Sequence, residues 1–599
     1  MLRDPSPDRR PQGESGRGVM AERILSQRPG LRTLRQLPNR TFCMTRLDRL
    51  RLERLVDRLL GPWDRPGGPG MTLGLVLDNE LAVHRTAGLA SIELGRPIGS
   101  GTTFRIASVS KQFTCAAILL LADEGKLRIE DDIRDWLPEL PDLRQRITLD
   151  HLMHNTSGIR DMLEIMRMGG VDLSHPVTHD DLMAGICRQR GLNFPPQTRY
   201  LYSNSNFLLL GRVIEQASGN RLRDFLDQRF FAPLGMNATR HVEHPAEAVP
   251  GLATGYVRGA VMAQRSGAWE KVPPPPGVIE PMMLPGIVWH RASHGFPLHG
   301  EGGLVSSVED LALWHAYLGS SRGAALAEAL CVPMDFINRH PNAYARGVSL
   351  RRYRGCTIVE HGGLWPGYKT ALLRVPDRRI ALVCITNDGS ADPHAVAAKL
   401  LDSVIDELPD SPAAPATPAR SELARYTGRW IDRDAAATAD ISLSHRGVLT
   451  VKQYGVPFEV RPTEDNRLGG PNSSTQFTFR LLPGNDALEV EQDAGIIAIY
   501  HRLAEGATLP DGLSGCYIND DTASRWTIDG SAVTIEGPLR LGACWEVAPI
   551  EGDVIRIVAP TTLYDAWLDV RVVRDADRHI TGLTVNGGRA RNLMFQRMT

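Results

Sequence analysis

A proline- and alanine-rich stretch at residues 409–418 divides this 599-residue chain into two parts of different grain. Such a run continues neither a helix nor a sheet ladder, so 409–419 reads as a Pro/Ala linker. Ahead of it, helix and strand patterns alternate. Residues 45–60 place Leu52, Leu55, Val56, Leu59 and Leu60 on one helical face. Residues 71–77 and 81–84 flank Asp78-Asn79 in a hairpin pattern. Residues 109–123 are apolar on nearly every side, which predicts a helix inside a core that ends at Gly125. Residues 130–250 read mainly helical, and 257–299, with Pro273 to Pro276, as a long surface excursion. Strand runs at 356–360, 370–375 and 380–386 and a helix at 391–408 complete this part. Strands at both ends with helices between predict an α+β unit over 45–408, an antiparallel sheet joined to a helical subdomain.

Beyond the linker, short alternating strands and turns replace the helices. This part repeats. Thr427-Gly428-Arg429-Trp430 matches Ser514-Gly515-Cys516-Tyr517, and Tyr500-His501-Arg502-Leu503 matches Phe595-Gln596-Arg597-Met598. Two all-β antiparallel barrels over 420–505 and 511–599 are predicted, with one β-sandwich as the alternative.

A formal net charge of −1 gives no general field for nucleic acid or an anionic membrane, so neither is an expected partner. No apolar run reaches the roughly 18 residues of a transmembrane helix. Residues 1–44 are rich in Arg, Pro and Gly with little apolar periodicity, and read as a disordered extension. The eight cysteines form no C-x-x-C pair and no His-flanked metal spacing. Scattered thiols of this kind fit a reducing cytoplasm. Neither a metal nor an organic cofactor is expected.

Lysine is scarce beside arginine, and Lys111 stands at the head of the apolar helix, in Ser108-Val109-Ser110-Lys111. Ser-x-x-Lys at a helix start puts both side chains near one face. A serine hydroxyl needs a base to become a nucleophile, and a buried lysine can be that base. Tyr202-Ser203-Asn204 precedes a second apolar helix; its phenol can relay protons and its amide can position a carbonyl, or the group can simply cap that helix. His361-Gly362-Gly363 follows a strand run. It can bring a backbone N–H close to a developing oxyanion, or be only a glycine turn. A histidine there can titrate near neutral pH.

Ser-x-x-Lys, Tyr-x-Asn and His-x-Gly in this order resemble the serine β-lactamase and penicillin-binding-protein superfamily. His154-Asn155-Thr156-Ser157-Gly158 and Gly302-Gly303-Leu304-Val305-Ser306-Ser307 are similar too. With the linker and two barrels, residues 45–599 resemble the bacterial D-stereospecific aminopeptidases. The resemblance implies Ser108 as acylated nucleophile, Lys111 as its base, Tyr202 sharing proton transfer, Asn204 holding substrate and His361 lining the sheet side. It implies an oxyanion hole from the N–H groups of Ser108 and Leu364, beside Gly362 and Gly363. A loop of the last barrel would reach the site, matched here by 537–546. In that loop Glu546 offers an ammonium its carboxylate, Arg540 would repel one, and Trp545 lies between them. The third motif is usually Lys-Thr-Gly, so His-Gly-Gly argues against an efficient β-lactamase.

The expected activity is therefore a serine hydrolase releasing N-terminal D-amino acids from short peptides or amides. A broad esterase of the same fold and a non-catalytic binding homologue are the alternatives. The expected partners are a small peptide, amide or ester substrate and, by resemblance, a second copy in a homodimer.

Overall fold

The computed structural model describes residues 46–258, 262–265, 268–271, 289–406, 418–444, 447–462, 467–469, 477–539, 542–559 and 566–598. The expected disordered extension, most of the linker, much of the 257–299 excursion and Arg540 lie outside them.

The apolar face read at 45–60 forms helix α1 (Arg46–Leu60). Strands β1 (Met71–Leu77) and β2 (Glu80–Ala87) make the hairpin, with Asp78 and Asn79 at φ 49° and 69° in its turn. Far along the chain come β3 (Ser349–Tyr353), β4 (Cys356–Trp365), β5 (Tyr368–Val375) and β6 (Ile380–Thr386). They join the hairpin in one antiparallel sheet of order β3-β4-β5-β6-β1-β2. Side chains alternate across the two faces. Met71, Leu73, Leu75 and Cys384 pack against α1 and helix α6 (Pro393–Asp406), whereas Val383 and Ile385 face the helical subdomain. Both faces of the sheet are covered, which is why β1 and β6 are apolar without a polar alternation.

The helical subdomain is centred on α2 (Lys111–Asp123), whose residues 111–119 are all buried. Around it lie α3 (Met162–Met168), α4 (Asn204–Ser218) and α5 (Val308–Leu318).

Two closed eight-stranded antiparallel barrels follow, running from Gly428–Asp432 to Ile497–Arg502 and from Gly515–Asn519 to Leu593–Arg597. The sequence repeat marks their closure. In the first, Arg502 lies 4.2 Å from the ring of buried Trp430 and donates to the carbonyl of Thr427 at 2.6 Å. In the second, Arg597 lies 5.9 Å from the ring of buried Tyr517 and donates to Ser514 O at 2.8 Å. Each arginine staples the last strand to the first. Glycine is favoured at the first seam because Gly428 takes φ 133°, a conformation L side chains rarely adopt, and a Cβ there would also press on the Arg502 guanidinium.

Candidate active site

Ser108 lies in a 3-10 turn, Ala107–Ser110, that runs straight into α2. Ala107 takes φ 47°, a left-handed conformation an L-residue enters at a cost of roughly 1 kcal/mol. It turns the half-exposed Ser108 out of the core while Ala107 and Val109 stay buried. Strand β4 crosses directly over this turn. A Cβ on Gly363 would meet Ile106 O at 2.2 Å, so only glycine permits the approach. Strand β3 ends at Ser349, opposite Glu360. From His361 onward β4 is paired in the ladder by β5 alone, among the described residues.

Lys111 is fully buried, and its Nζ is 3.1 Å from Ser108 Oγ. The same nitrogen donates to Asn204 Oδ1 at 2.9 Å and to the backbone carbonyl of Glu301 at 2.6 Å. Burial lowers the Lys111 pKa to about 7, Glu301 opposes this, and Arg589 adds to it. A neutral amine has two hydrogens and one lone pair. Asn204 and Glu301 take the two hydrogens, which leaves the lone pair for the Ser108 hydroxyl proton.

Asn204 is held from behind. Asp161 Oδ2 accepts from the Asn204 backbone N–H at 2.6 Å and from its Nδ2 at 2.9 Å, while Oδ1 accepts from Leu163 N and Glu164 N at the head of α3. The 154–158 stretch fixes the start of α4, with Asn155 Oδ1 accepting from Ser203 N and Asn206 Nδ2. Tyr202 is buried, its hydroxyl next to Ser108 without completing a hydrogen bond to it. Burial pushes its pKa up, so it holds its proton.

Ser108, Asp161, Tyr202, Asn204 and Glu301 line a cavity of about 590 Å³, within the range of small-molecule sites. Sheet residues His361 to Trp365 form one wall, α3 another, and the first barrel a third through Val456, Phe458 and Phe477. Arg589 of the second barrel also lines it. The Beta-lactamase family profile matches residues 52–405. The chain belongs to the β-lactamase family. It is 27% identical to a D-aminopeptidase of Cereibacter sphaeroides over 92% of this chain and the whole of that one. It is 28% identical to a penicillin-binding protein of Bacillus subtilis over 68% of this chain and 89% of that one. The octameric penicillin-binding protein homologue from Pyrococcus abyssi shares the fold at TM-score 0.51, with 19% identity over 82% of this chain and 98% of that one.

Within this β-lactamase-family site, Ser108, Tyr202, Asn204, His361, Gly362, Gly363 and Leu364 are brought together on one cavity, with Lys111 buried behind Ser108. Three points add to or differ from the sequence expectation. Asn204 also orients the lysine: its Oδ1 accepts from Lys111 and one Nδ2–H goes to Asp161, which leaves the second Nδ2–H for a substrate carbonyl. His361 does not titrate near neutrality, because burial lowers its pKa to about 3. Its Nδ1 is 2.7 Å from Gly362 O and its Nε2 3.0 Å from the Tyr344 hydroxyl, a neutral ring donating to one and accepting from the other. The third difference is the loop. Trp545 packs in the second barrel 6.4 Å from the Trp526 ring, and Glu546 is exposed on strand Gly542–Glu551; neither lines the cavity. Gly537 abuts Gly169 at the end of α3, and Leu539 packs against the helical subdomain's core. The second barrel reaches the site elsewhere, through the turn between strands Ile580–Asn586 and Leu593–Arg597. That turn carries Arg589, whose guanidinium lies 4.7 Å from the Tyr202 ring.

The sequence reading also missed Asp161, Glu301 and Tyr344. Glu301 sits beside Gly302-Gly303, and Asp161 three residues past Gly158, so each borders a stretch the motifs already marked. No local signal points to Tyr344.

Proposed function

We propose that this chain is a serine hydrolase that forms an acyl-enzyme on Ser108 and cleaves amides of D-amino acids, releasing N-terminal D-residues from short peptides or amides. The observation that carries the reading is the fully buried Lys111 Nζ, 3.1 Å from Ser108 Oγ and within hydrogen-bond distance of two acceptors, Asn204 Oδ1 and Glu301 O. Ser108 Oγ attacks the substrate carbonyl carbon as its proton passes to Lys111, and the oxyanion takes N–H bonds from Ser108 and Leu364. The open side of β4 and its glycine contact with Ile106 support that placement. The C–N bond then breaks, and the leaving nitrogen receives a proton from Lys111 or through Tyr202, which burial keeps protonated. Water cleaves the ester and restores Ser108.

Substrate class is supported by the likeness to D-aminopeptidases along nearly the whole chain. Glu301 supports it too: this buried carboxyl lines the cavity, and its Oε2 has no hydrogen-bond partner among the described residues. It can face a substrate ammonium in the role first given to Glu546. Unpaired thiols at every described cysteine support a cytoplasmic setting, and a homodimer remains part of the proposal.

The test is a panel of D- and L-alanine p-nitroanilides, p-nitrophenyl acetate and a penicillin, on wild type and Ser108→Ala. D-amide cleavage is expected to fall by more than about 1000-fold in the variant. Ester turnover with no D-amide cleavage would instead mark an esterase. No Ser108-dependent turnover of any substrate would mark a binding protein. The rate should rise with pH through about 7, as Lys111 loses its proton.

A further inference from the structure

The Tyr202 ring has two basic groups against it: Lys111 Nζ at 4.8 Å from its centroid and the Arg589 guanidinium at 4.7 Å. The two groups are therefore within about 10 Å of each other across a site closed from water on the Lys111 side. Arg589 is held firmly there. Its backbone carbonyl accepts from Asp161 N and from Asn193 Nδ2, each at 3.1 Å. The turn before it is seated on α3 so closely that a Cβ on Gly587 would lie 2.2 Å from Glu164 Oε2. The cation is thus tied to Asp161, the residue that holds Asn204 and, through it, Lys111.

We propose that Arg589 is a positioning residue of the reaction centre: its fixed charge, delivered by the second barrel, keeps the Lys111 amine unprotonated and able to accept the Ser108 proton. The inference rests on the reading of Lys111 as the base of Ser108. The groups around the pair set the balance. Asp161 and Glu301 favour the Lys111 ammonium, and Arg589 opposes it together with burial. Glu164 is already paired with Arg167 at 2.8 Å. Tyr202 and Tyr200 are held protonated by burial, and His361 is neutral, so none of these replaces the arginine's charge. Without Arg589, burial alone opposes the two carboxyl groups that favour the Lys111 ammonium. The second barrel is then part of the catalytic machinery as well as of the fold.

The test is the pH profile of kcat/KM for p-nitrophenyl acetate, an uncharged substrate on which Arg589 has no direct charge effect. Wild type, Arg589→Gln, Arg589→Lys and Ser108→Ala are compared. In Arg589→Gln the midpoint of the rising limb should move up by about one pH unit, with roughly tenfold slower turnover below it and a plateau above pH ~9 within about threefold of wild type. Arg589→Lys keeps the charge and should keep the midpoint. If the glutamine variant fails to melt cooperatively, Arg589→Met replaces it and must show the same displaced midpoint. A uniform rate loss with an unmoved midpoint overturns the proposal, and so does a lysine variant displaced as far as glutamine. Wild type no faster than Ser108→Ala would defeat the serine-hydrolase reading itself, a result separate from either.

Discussion

The two barrels close in the same way and serve the molecule differently. Each is stapled by an arginine of its last strand stacked on an aromatic of its first. The second barrel is built into the catalytic domain: Ile165 and Met168 of α3 are buried in its core, Trp526 donates to Met168 O at 3.0 Å, and Arg160 pairs with Asp521 at 2.7 Å. The first barrel meets that domain through one turn, where Asp493 pairs with Arg199 and Ala494 is buried against the helical subdomain, and it supplies a cavity wall. Repetition thus preserved what closes a barrel, while the turns between strands were free to acquire separate uses.

The sharpest way to break this comparison is Gly587→Val. It drives a side chain into Glu164 and Met168 of α3 beneath the Arg589 turn and should lower kcat/KM by up to about 100-fold, measured by ester turnover. A variant with wild-type rate would mean that the second barrel only supports the fold.

Next is the barrel–barrel junction. Asp569 accepts from Thr438 N at 2.8 Å and Thr438 Oγ1 at 2.7 Å, with Arg556 3.9 Å away. Burial raises its pKa from 3.8 to about 6. The folded protein therefore binds this proton more tightly than the unfolded chain. The resulting stabilisation is full below about pH 4 and lost above about pH 6. The stability difference between wild type and Asp569→Asn should accordingly change by about 3 kcal/mol between pH 4 and 7, read from urea midpoints. A pH-independent difference would mean the carboxyl is not desolvated.

Arg502→Ala and Arg597→Ala should each cost about 1–2 kcal/mol in the same denaturation. Only the second should also slow turnover, because only that barrel carries Arg589. The smallest effect is expected at Phe477→Ala in the first barrel's wall. KM should rise about two- to fivefold for a tripeptide amide, with kcat and acetate hydrolysis unchanged.

Much of this was legible because it is local. Ser108 and Lys111 are one helical turn apart, and the short apolar runs at 71–77 and 380–386, each bounded by turn residues, mark strands before any partner is known. The repeat at Trp430 and Tyr517 marks two closures, since the same seam chemistry recurs. What escaped depends on contacts between distant segments. The neutrality of His361 comes from burial beside Tyr344. The commitment of Asn204 comes from Asp161 on another helix. The turn at 587–592 reads only as a hairpin, and nothing in its residues says that Tyr202 lies opposite. The stretch 537–546 was chosen by resemblance; among the described residues of that barrel the cavity is lined by Arg589, in a different turn.

The central claim is that Ser108 becomes acylated through Lys111. It is tested most directly by intact-protein and peptide mass spectrometry after treating the folded chain with a fluorophosphonate probe. One adduct on the Ser108 peptide is predicted, absent in Ser108→Ala and strongly slowed in Lys111→Met. No adduct on the folded wild type, or one on another residue that persists in Ser108→Ala, would contradict it.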